Sequence, residues 1–135
     1  MKQYATSPRN KPRHEEHNLQ VACVNWFRYQ YPIVGKMLIA VGNGGKRDAI
    51  TGAMLKAEGV LAGVSDLILL IPNNRYHGLL IEMKTKTGRQ STAQKEWQQD
   101  IENLNYYKYV VVRSLEEFMN IINDYLRDEK RLIPF

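Results

Sequence analysis

The sequence predicts an α/β domain in which a mixed sheet carries helices on both faces. Helix-like and strand-like segments alternate along the chain, in the predicted order α-β-α-β-β-α-β-α. Two strand-like segments, residues 66–71 and 78–84, carry apolar residues on both faces, which is typical of strands covered by helices on each side. A length of 135 residues suits one domain of this kind.

The chain begins with a segment whose composition differs from the rest. Residues 1–13 contain two prolines, four basic residues and little that can pack. They are predicted to form a basic flexible arm in front of a single folded domain over 14–135. A helix is predicted over about 15–30, and Pro32 ends it. The apolar positions at helical spacing in this segment are Leu19, Cys23, Trp26 and Phe27.

The next segments predict a strand and a helix. Residues 37–41 are an apolar run that leads into the glycine-rich segment 42–45, which indicates a short strand and a tight turn. Residues 46–58 are then predicted to form a helix closed by Gly59.

A hairpin is predicted in the middle of the chain. Residues 66–71 are rich in Leu and Ile and indicate a buried strand. The turn-forming residues 72–74 reverse the chain, and residues 78–84 return as the second strand.

Two capping boxes mark the remaining helices. Residues 91–94 open a helix that continues to about Leu104. The β-rich segment 106–113 predicts a strand, and residues 114–117 open a last helix through Tyr125.

Composition excludes several classes of protein. The 44% hydrophobic and 24% charged residues are typical of a globular chain. Apolar runs such as 67–71 are far shorter than a membrane span, and the first residues lack the apolar segment of a signal peptide. Cys23 is the single cysteine, which excludes an intramolecular disulfide and a Cys-cluster zinc site. We therefore expect a soluble cytoplasmic protein that is neither secreted nor bound to a membrane.

The net charge of +5 is distributed unevenly. Residues 1–14 hold four bases and no acid, and the segments 36–56 and 82–95 each hold four bases against one acid. Residues 96–135 hold eight acids and five bases. This segregation is expected of a protein with one face toward a polyanion such as nucleic acid. The alternative is a solvated surface with chance clustering.

Three charged residues lie within or beside the apolar strands of the hairpin. Glu82 and Lys84 are two residues apart on one strand and therefore share a face. A hairpin centred near Asn74 places Asp66 opposite Glu82, with Cβ atoms about 5 Å apart. Two carboxylates at that distance repel each other, and a hard divalent cation, Mg²⁺ or Mn²⁺, relieves the repulsion.

Lys84 next to such a cation has a chemical task. It orients and deprotonates an attacking water, or it neutralises charge on a pentavalent phosphate. The structural alternative is a salt bridge between Lys84 and one of the acids.

This hairpin resembles that of the PD-(D/E)xK nuclease superfamily, and the flanking residues narrow the resemblance to the VRR-NUC domain. The similarity extends from about Glu16 to Tyr125. It is carried by Glu16, Leu19 and Gln20, by 43–47, by Lys56 and Gly59, by 63–67 and 78–84, by Ser91 and Gln94, and by 112–114 with Glu116 and Glu117.

The resemblance implies a restriction-endonuclease-like fold and a set of site residues. Asp66, Glu82 and the backbone carbonyl of Met83 would bind the metal, and Lys84 would be the catalytic lysine. Glu16 matches an acid of the first helix, where the structural alternative is a favourable interaction with the helix dipole. The matching helix glutamine is Gln94, which also has a structural role open to it in the capping box.

The resemblance also implies a function. It indicates a Mg²⁺- or Mn²⁺-dependent DNA endonuclease without a small-molecule cofactor, acting on branched DNA such as four-way junctions. We expect a homodimer and a phage or mobile-element origin. The alternative is a non-catalytic nucleic-acid-binding module of the same fold.

Candidate phosphate contacts are Lys46, Arg47, Lys56, Lys86 and Arg89. Ser65 departs from the family, which usually has proline there, and this loses a rigid turn but no ligand.

Overall fold

The element order predicted from the sequence is confirmed in a computed structural model, which describes residues 11–42 and 49–127. The helices are α1 (Lys11–Gln30), α2 (Ala49–Ala57), α3 (Thr92–Leu104) and α4 (Leu115–Leu126). The strands are β1 (Leu38–Ala40), β2 (Leu67–Leu69), β3 (Gly78–Met83) and β4 (Tyr107–Val112). A 3-10 helix, Pro32–Met37, is an addition between α1 and β1.

The four strands form one mixed sheet in the order β1-β2-β3-β4. The β1–β2 and β2–β3 pairs are antiparallel, and β3 and β4 are parallel. The parallel pair requires a crossover, and α3 supplies it. All six residues of β3 are buried, because strands lie on both of its edges and helices on both of its faces.

Helices cover both faces of the sheet, as predicted. One core cluster contains Phe27 of α1, Phe118 of α4, and Leu79, Ile81 and Met83 of β3. A smaller cluster contains Leu80, Ile101 and Tyr109, beneath α3. Because side chains alternate along a strand, Glu82 lies on the same face as Leu80, the face that α3 covers.

Helix α1 begins earlier than the sequence predicts. It starts at Lys11 rather than near residue 15, so three residues assigned to the arm are helical. Proline is tolerated in the first turn of a helix, so Pro12 does not prevent this earlier start. The rest of the predicted arm, the segment 43–48 and the chain after Arg127 lie outside the described residues.

Strand β2 is shorter than the predicted strand 66–71. Its partner β1 has three residues, so three pairs form the regular ladder. Single hydrogen bonds extend the pairing on either side, from the Val41 amide to the Asp66 carbonyl and from the Leu70 amide to the Met37 carbonyl, both at 2.9 Å. In the described ranges, no helix combines the length and the apolar character that crossing a bilayer requires.

Candidate active site

The β2–β3 hairpin brings the two predicted carboxylates together. Leu67 pairs with Ile81 and Leu69 with Leu79, so the register continued by one residue sets Asp66 opposite Glu82. This is the pairing that the sequence predicts. It places two acidic side chains side by side at the end of a strand that is otherwise apolar.

Glu82 is the most deeply buried acid of the described chain, with 1% of its surface exposed. Burial raises the pKa of Glu82, and the neighbouring Asp66 charge raises it further. The Gln90 amide nitrogen donates to Glu82 Oε2 at 3.0 Å, and this bond and the Lys84 charge lower the pKa in part. Gln90 and Lys84 therefore offset only part of the effect of burial on the Glu82 carboxylate.

Asp66 lies one residue before β2 and is oriented by the neighbouring strand. Its Oδ2 accepts a hydrogen bond from the Met83 amide at 2.6 Å. Burial raises the pKa of Asp66, while that hydrogen bond and the Lys84 charge oppose the shift. The Met83 backbone, predicted to contribute its carbonyl to the metal, is thus adjacent to Asp66.

Lys84 is 8% exposed and follows directly after β3. Its amide donates to the Val112 carbonyl at 2.9 Å, which extends the parallel pairing by one bond. Its positive charge lowers the pKa of Asp66, Glu82 and Glu16. Within the described part of the chain Lys84 forms no ion pair shorter than 4.0 Å, so the salt bridge weighed as the structural alternative is not seen.

Glu16 reaches this cluster from α1. Burial raises its pKa, the Lys84 charge and the Thr85 backbone amide lower it, and the Asp66 charge raises it. These interactions place a third carboxylate near Asp66 and Lys84, although Glu16 and Asp66 are 50 positions apart in the sequence.

The Gln94 side chain caps the N-terminus of α3. Its side chain accepts from the Ser91 amide at 2.8 Å, and its own amide donates to Ser91 Oγ at 3.2 Å. Both bonds of the predicted capping box are present. The geometry therefore supports the structural alternative for Gln94, and the glutamine in contact with Glu82 is Gln90.

The segment before Asp66 is fixed against α3. Gly63 has φ +84, and a Cβ there would lie 2.5 Å from the Ala93 carbonyl carbon, so only glycine permits this approach. Ser65 is fully buried, and its Oγ accepts from Trp97 Nε1 at 3.0 Å. This hydrogen bond anchors the turn at the position where Ser65 departs from the family pattern.

Tyr109 supplies a buried hydroxyl beside the site. Burial and the Glu82 charge raise its pKa. Its hydroxyl lies close to Ser65 and Glu82, and of these Ser65 lowers the pKa of Tyr109 while Glu82 raises it. The sequence offers no signal for this residue beyond its place in an apolar strand.

The loop after β3 is held by Arg113, which lies in the segment that carries the family resemblance but has no role predicted from the sequence. Arg113 Nη1 donates to the carbonyls of Thr85 at 2.6 Å and Gly88 at 2.7 Å. Lys86 and Arg89, two of the predicted phosphate contacts, are exposed in this loop. Of the other predicted contacts, Lys56 is exposed in α2, and Lys46 and Arg47 lie outside the described residues.

The donor set suits a hard divalent cation. Asp66 and Glu82 face each other across the hairpin, and burial raises both pKa values. Carboxylate oxygens in this setting are the ligands that Mg²⁺ and Mn²⁺ prefer. The described residues contain no cluster of three or more His, Cys, Asp or Glu side chains able to hold a metal. A cation here would therefore depend mainly on Asp66 and Glu82, with Glu16, backbone or water oxygens completing its ligands.

We expect Glu82→Gln to raise the Tm of the metal-free protein at pH 7. Burial raises the folded-state pKa of Glu82 above its ordinary value of 4.5, so folding becomes less favourable as the pH rises through the folded-state pKa. Glutamine is uncharged and keeps an oxygen that accepts from Gln90.

Thermal unfolding in EDTA at pH 7 and pH 4 measures this effect. The advantage of Glu82→Gln should shrink at pH 4, where the wild-type carboxyl is largely protonated. Glu96→Gln, at an exposed position of α3, serves as the matched control and should give no such gain. A lower Tm for Glu82→Gln at pH 7 would contradict the expectation.

The fold and the site together define a nuclease-type α/β domain. A family model for the VRR-NUC domain matches residues 9–114. The chain belongs to the VRR-NUC domain family, which is part of the PD-(D/E)xK superfamily.

A solved structure described as a VRR_NUC domain protein superimposes with a TM-score of 0.72 at 26% sequence identity. The alignment covers 84% of this chain and 88% of that one. No curated protein matches the sequence significantly.

Proposed function

We propose that the protein is a divalent-metal-dependent endonuclease that hydrolyses phosphodiester bonds in DNA. The observation that carries the proposal is the pair Asp66 and Glu82, opposed across the hairpin, with Lys84 two residues further along the same strand face. Because the chain is a nuclease-type domain, we expect its substrate to be a nucleic acid.

Each residue has a task in the proposed reaction. Asp66, Glu82 and the Met83 carbonyl would hold the cation, with Glu16 as a further carboxylate directly or through water. The bound Mg²⁺ or Mn²⁺ would supply Lewis-acid polarisation of the scissile phosphate. Lys84 would orient the attacking water or neutralise the charge that builds on phosphorus. Water would add to phosphorus and give up one proton, the opposite P–O bond would break, and the leaving oxygen would take up a proton in exchange.

Exposed basic side chains suit contact with the DNA backbone. Lys86 and Arg89 are exposed on the loop that directly follows the catalytic strand, and Lys56 is exposed in α2. Lys46 and Arg47 stay candidate phosphate contacts from the sequence alone, outside the described residues. Contacts of this kind position a duplex without reading its bases, which fits selection of DNA by shape.

The test is cleavage of labelled duplex, flap, fork and four-way junction DNA with Mg²⁺, Mn²⁺ or EDTA. We expect cleavage that depends on metal and is strongest on branched substrates. Binding without cleavage of any substrate would reject the enzyme and leave a non-catalytic binding module of this fold.

We also propose that the active form is a homodimer. A four-way junction requires paired cuts on two strands, and one hairpin supplies a single site. Two-fold symmetry provides two matched sites. Light scattering at micromolar protein, with and without junction DNA, should give about twice the 15.7 kDa chain mass. A monomer in both samples would exclude paired cleavage and favour nicking or flap cutting.

A further inference from the structure

The Glu82 carboxylate is held by a relay of amide side chains between the loop after β3 and α3. Gln90 Nε2 donates to Glu82 Oε2 at 3.0 Å and to Gln98 Oε1 at 2.8 Å. Gln98 Nε2 in turn donates to Glu102 Oε1 at 2.8 Å, one helical turn further along. The relay thus connects a buried acid of the sheet to the exposed side of a helix.

The chemistry of these groups fixes the direction of the relay. An ionised carboxylate only accepts hydrogen bonds, so the Gln90 side chain must present its NH₂ group to Glu82. That one nitrogen carries two hydrogens, and the second is donated to Gln98. The Gln98 oxygen therefore determines where the Gln90 nitrogen lies, and the Gln90 nitrogen determines where Glu82 Oε2 lies.

We propose that Gln90 is a positioning residue that orients the Glu82 carboxylate toward the divalent cation, and that Gln98 holds Gln90 in place. The inference rests on the proposed function, because it assumes that Glu82 binds metal. Carboxylates that bind metals are commonly fixed by a second hydrogen bond of this kind. A carboxylate with one oxygen engaged by Gln90 is restricted in rotation, which favours a single binding geometry over several.

The structural alternative is that Gln90 merely closes the loop between β3 and α3. The two roles differ in what they affect. Loss of loop packing lowers thermal stability and leaves metal affinity unchanged in the folded protein. Loss of orientation weakens metal binding and leaves the rate at saturating metal largely intact.

The experiment is isothermal titration of Mn²⁺ into the metal-free full chain without DNA, for wild type, Gln90→Leu and Gln98→Ala. We expect Gln90→Leu to raise the Kd for Mn²⁺ by a factor of about 10 to 100, with a smaller rise for Gln98→Ala. In cleavage assays the metal concentration for half-maximal rate should shift by a similar factor. Saturating metal should then restore most of the Gln90→Leu rate.

The matched control is Gln99→Ala. Gln99 is exposed on α3 and bonds to Asn103 on the same helix at 2.8 Å, away from Glu82, so its removal should leave the Kd unchanged. Circular dichroism checks that each variant is folded. If Gln90→Leu unfolds, the Mn²⁺ affinity of Gln98→Ala tests the positioning role instead, because that variant leaves the loop sequence intact.

Three outcomes would overturn the inference in distinguishable ways. A folded Gln90→Leu with wild-type Mn²⁺ affinity rejects the positioning role and leaves the proposed function standing. A Kd change for Gln99→Ala equal to that for Gln90→Leu shows a general effect of helix α3. A wild-type protein that binds no Mn²⁺ rejects the metal-dependent function and the inference together.

Discussion

Asp66→Asn is expected to abolish metal-dependent cleavage, with a loss of about 1,000-fold or more, because a metal ligand is worth several kcal/mol of transition-state stabilisation. The asparagine oxygen still accepts from the Met83 amide, so the turn before β2 should keep its geometry. DNA binding should remain largely intact, since the exposed basic side chains are unchanged.

The decisive measurement is single-turnover cleavage of the best branched substrate, with binding followed separately in Ca²⁺ or EDTA. Asp100→Asn, the same substitution at an exposed position of α3, is the control and should cut normally. A wild-type cleavage rate for Asp66→Asn would show that the site is misassigned.

Lys84→Ala is expected to lower the cleavage rate by a factor of roughly 100 or more, the scale for losing one preorganised charge at a developing oxyanion. Its effect on stability should be small. Lys84 is 8% exposed, and in the described ranges it forms no ion pair within 4.0 Å, so its loss removes a longer-range attraction to Asp66, Glu82 and Glu16 but no direct contact.

Cleavage rates and thermal melts of Lys84→Ala separate the catalytic role from the structural one. Lys108→Ala is the matched control, because Lys108 pairs with Leu79 near the opposite end of β3. An unfolded circular dichroism spectrum that accompanies the lost activity would support a structural role for Lys84 instead.

The hairpin and its carboxylate pair were predictable because local patterns determine them. A turn centred near Asn74 between two apolar strands sets the register that pairs Leu67 with Ile81, and this register sets Asp66 opposite Glu82. The capping box at Ser91 was predictable for the same reason, since both of its hydrogen bonds lie within four residues.

The relay from Gln90 to Gln98 was not predictable, because it depends on how the α3 crossover returns over the sheet. In the sequence, Gln90 and Gln94 are two glutamines of similar surroundings, and the resemblance favoured Gln94. Only the packed structure shows that Gln94 bonds to Ser91 while Gln90 bonds to Glu82. The hydrogen bond between Ser65 and Trp97 likewise joins positions 32 residues apart.

Arg113 has a thermodynamic consequence for the proposed DNA complex. A free loop that becomes ordered on binding loses conformational entropy, about 1–2 kcal/mol for each residue fixed. The guanidinium of Arg113 already ties the backbone carbonyls of Thr85 and Gly88 to the end of β4, so most of that loss occurs during folding. When Lys86 and Arg89 engage phosphates, mainly side-chain rotamers remain to be restricted. Preorganisation of this kind raises affinity without adding a contact, and it does so equally for every DNA sequence.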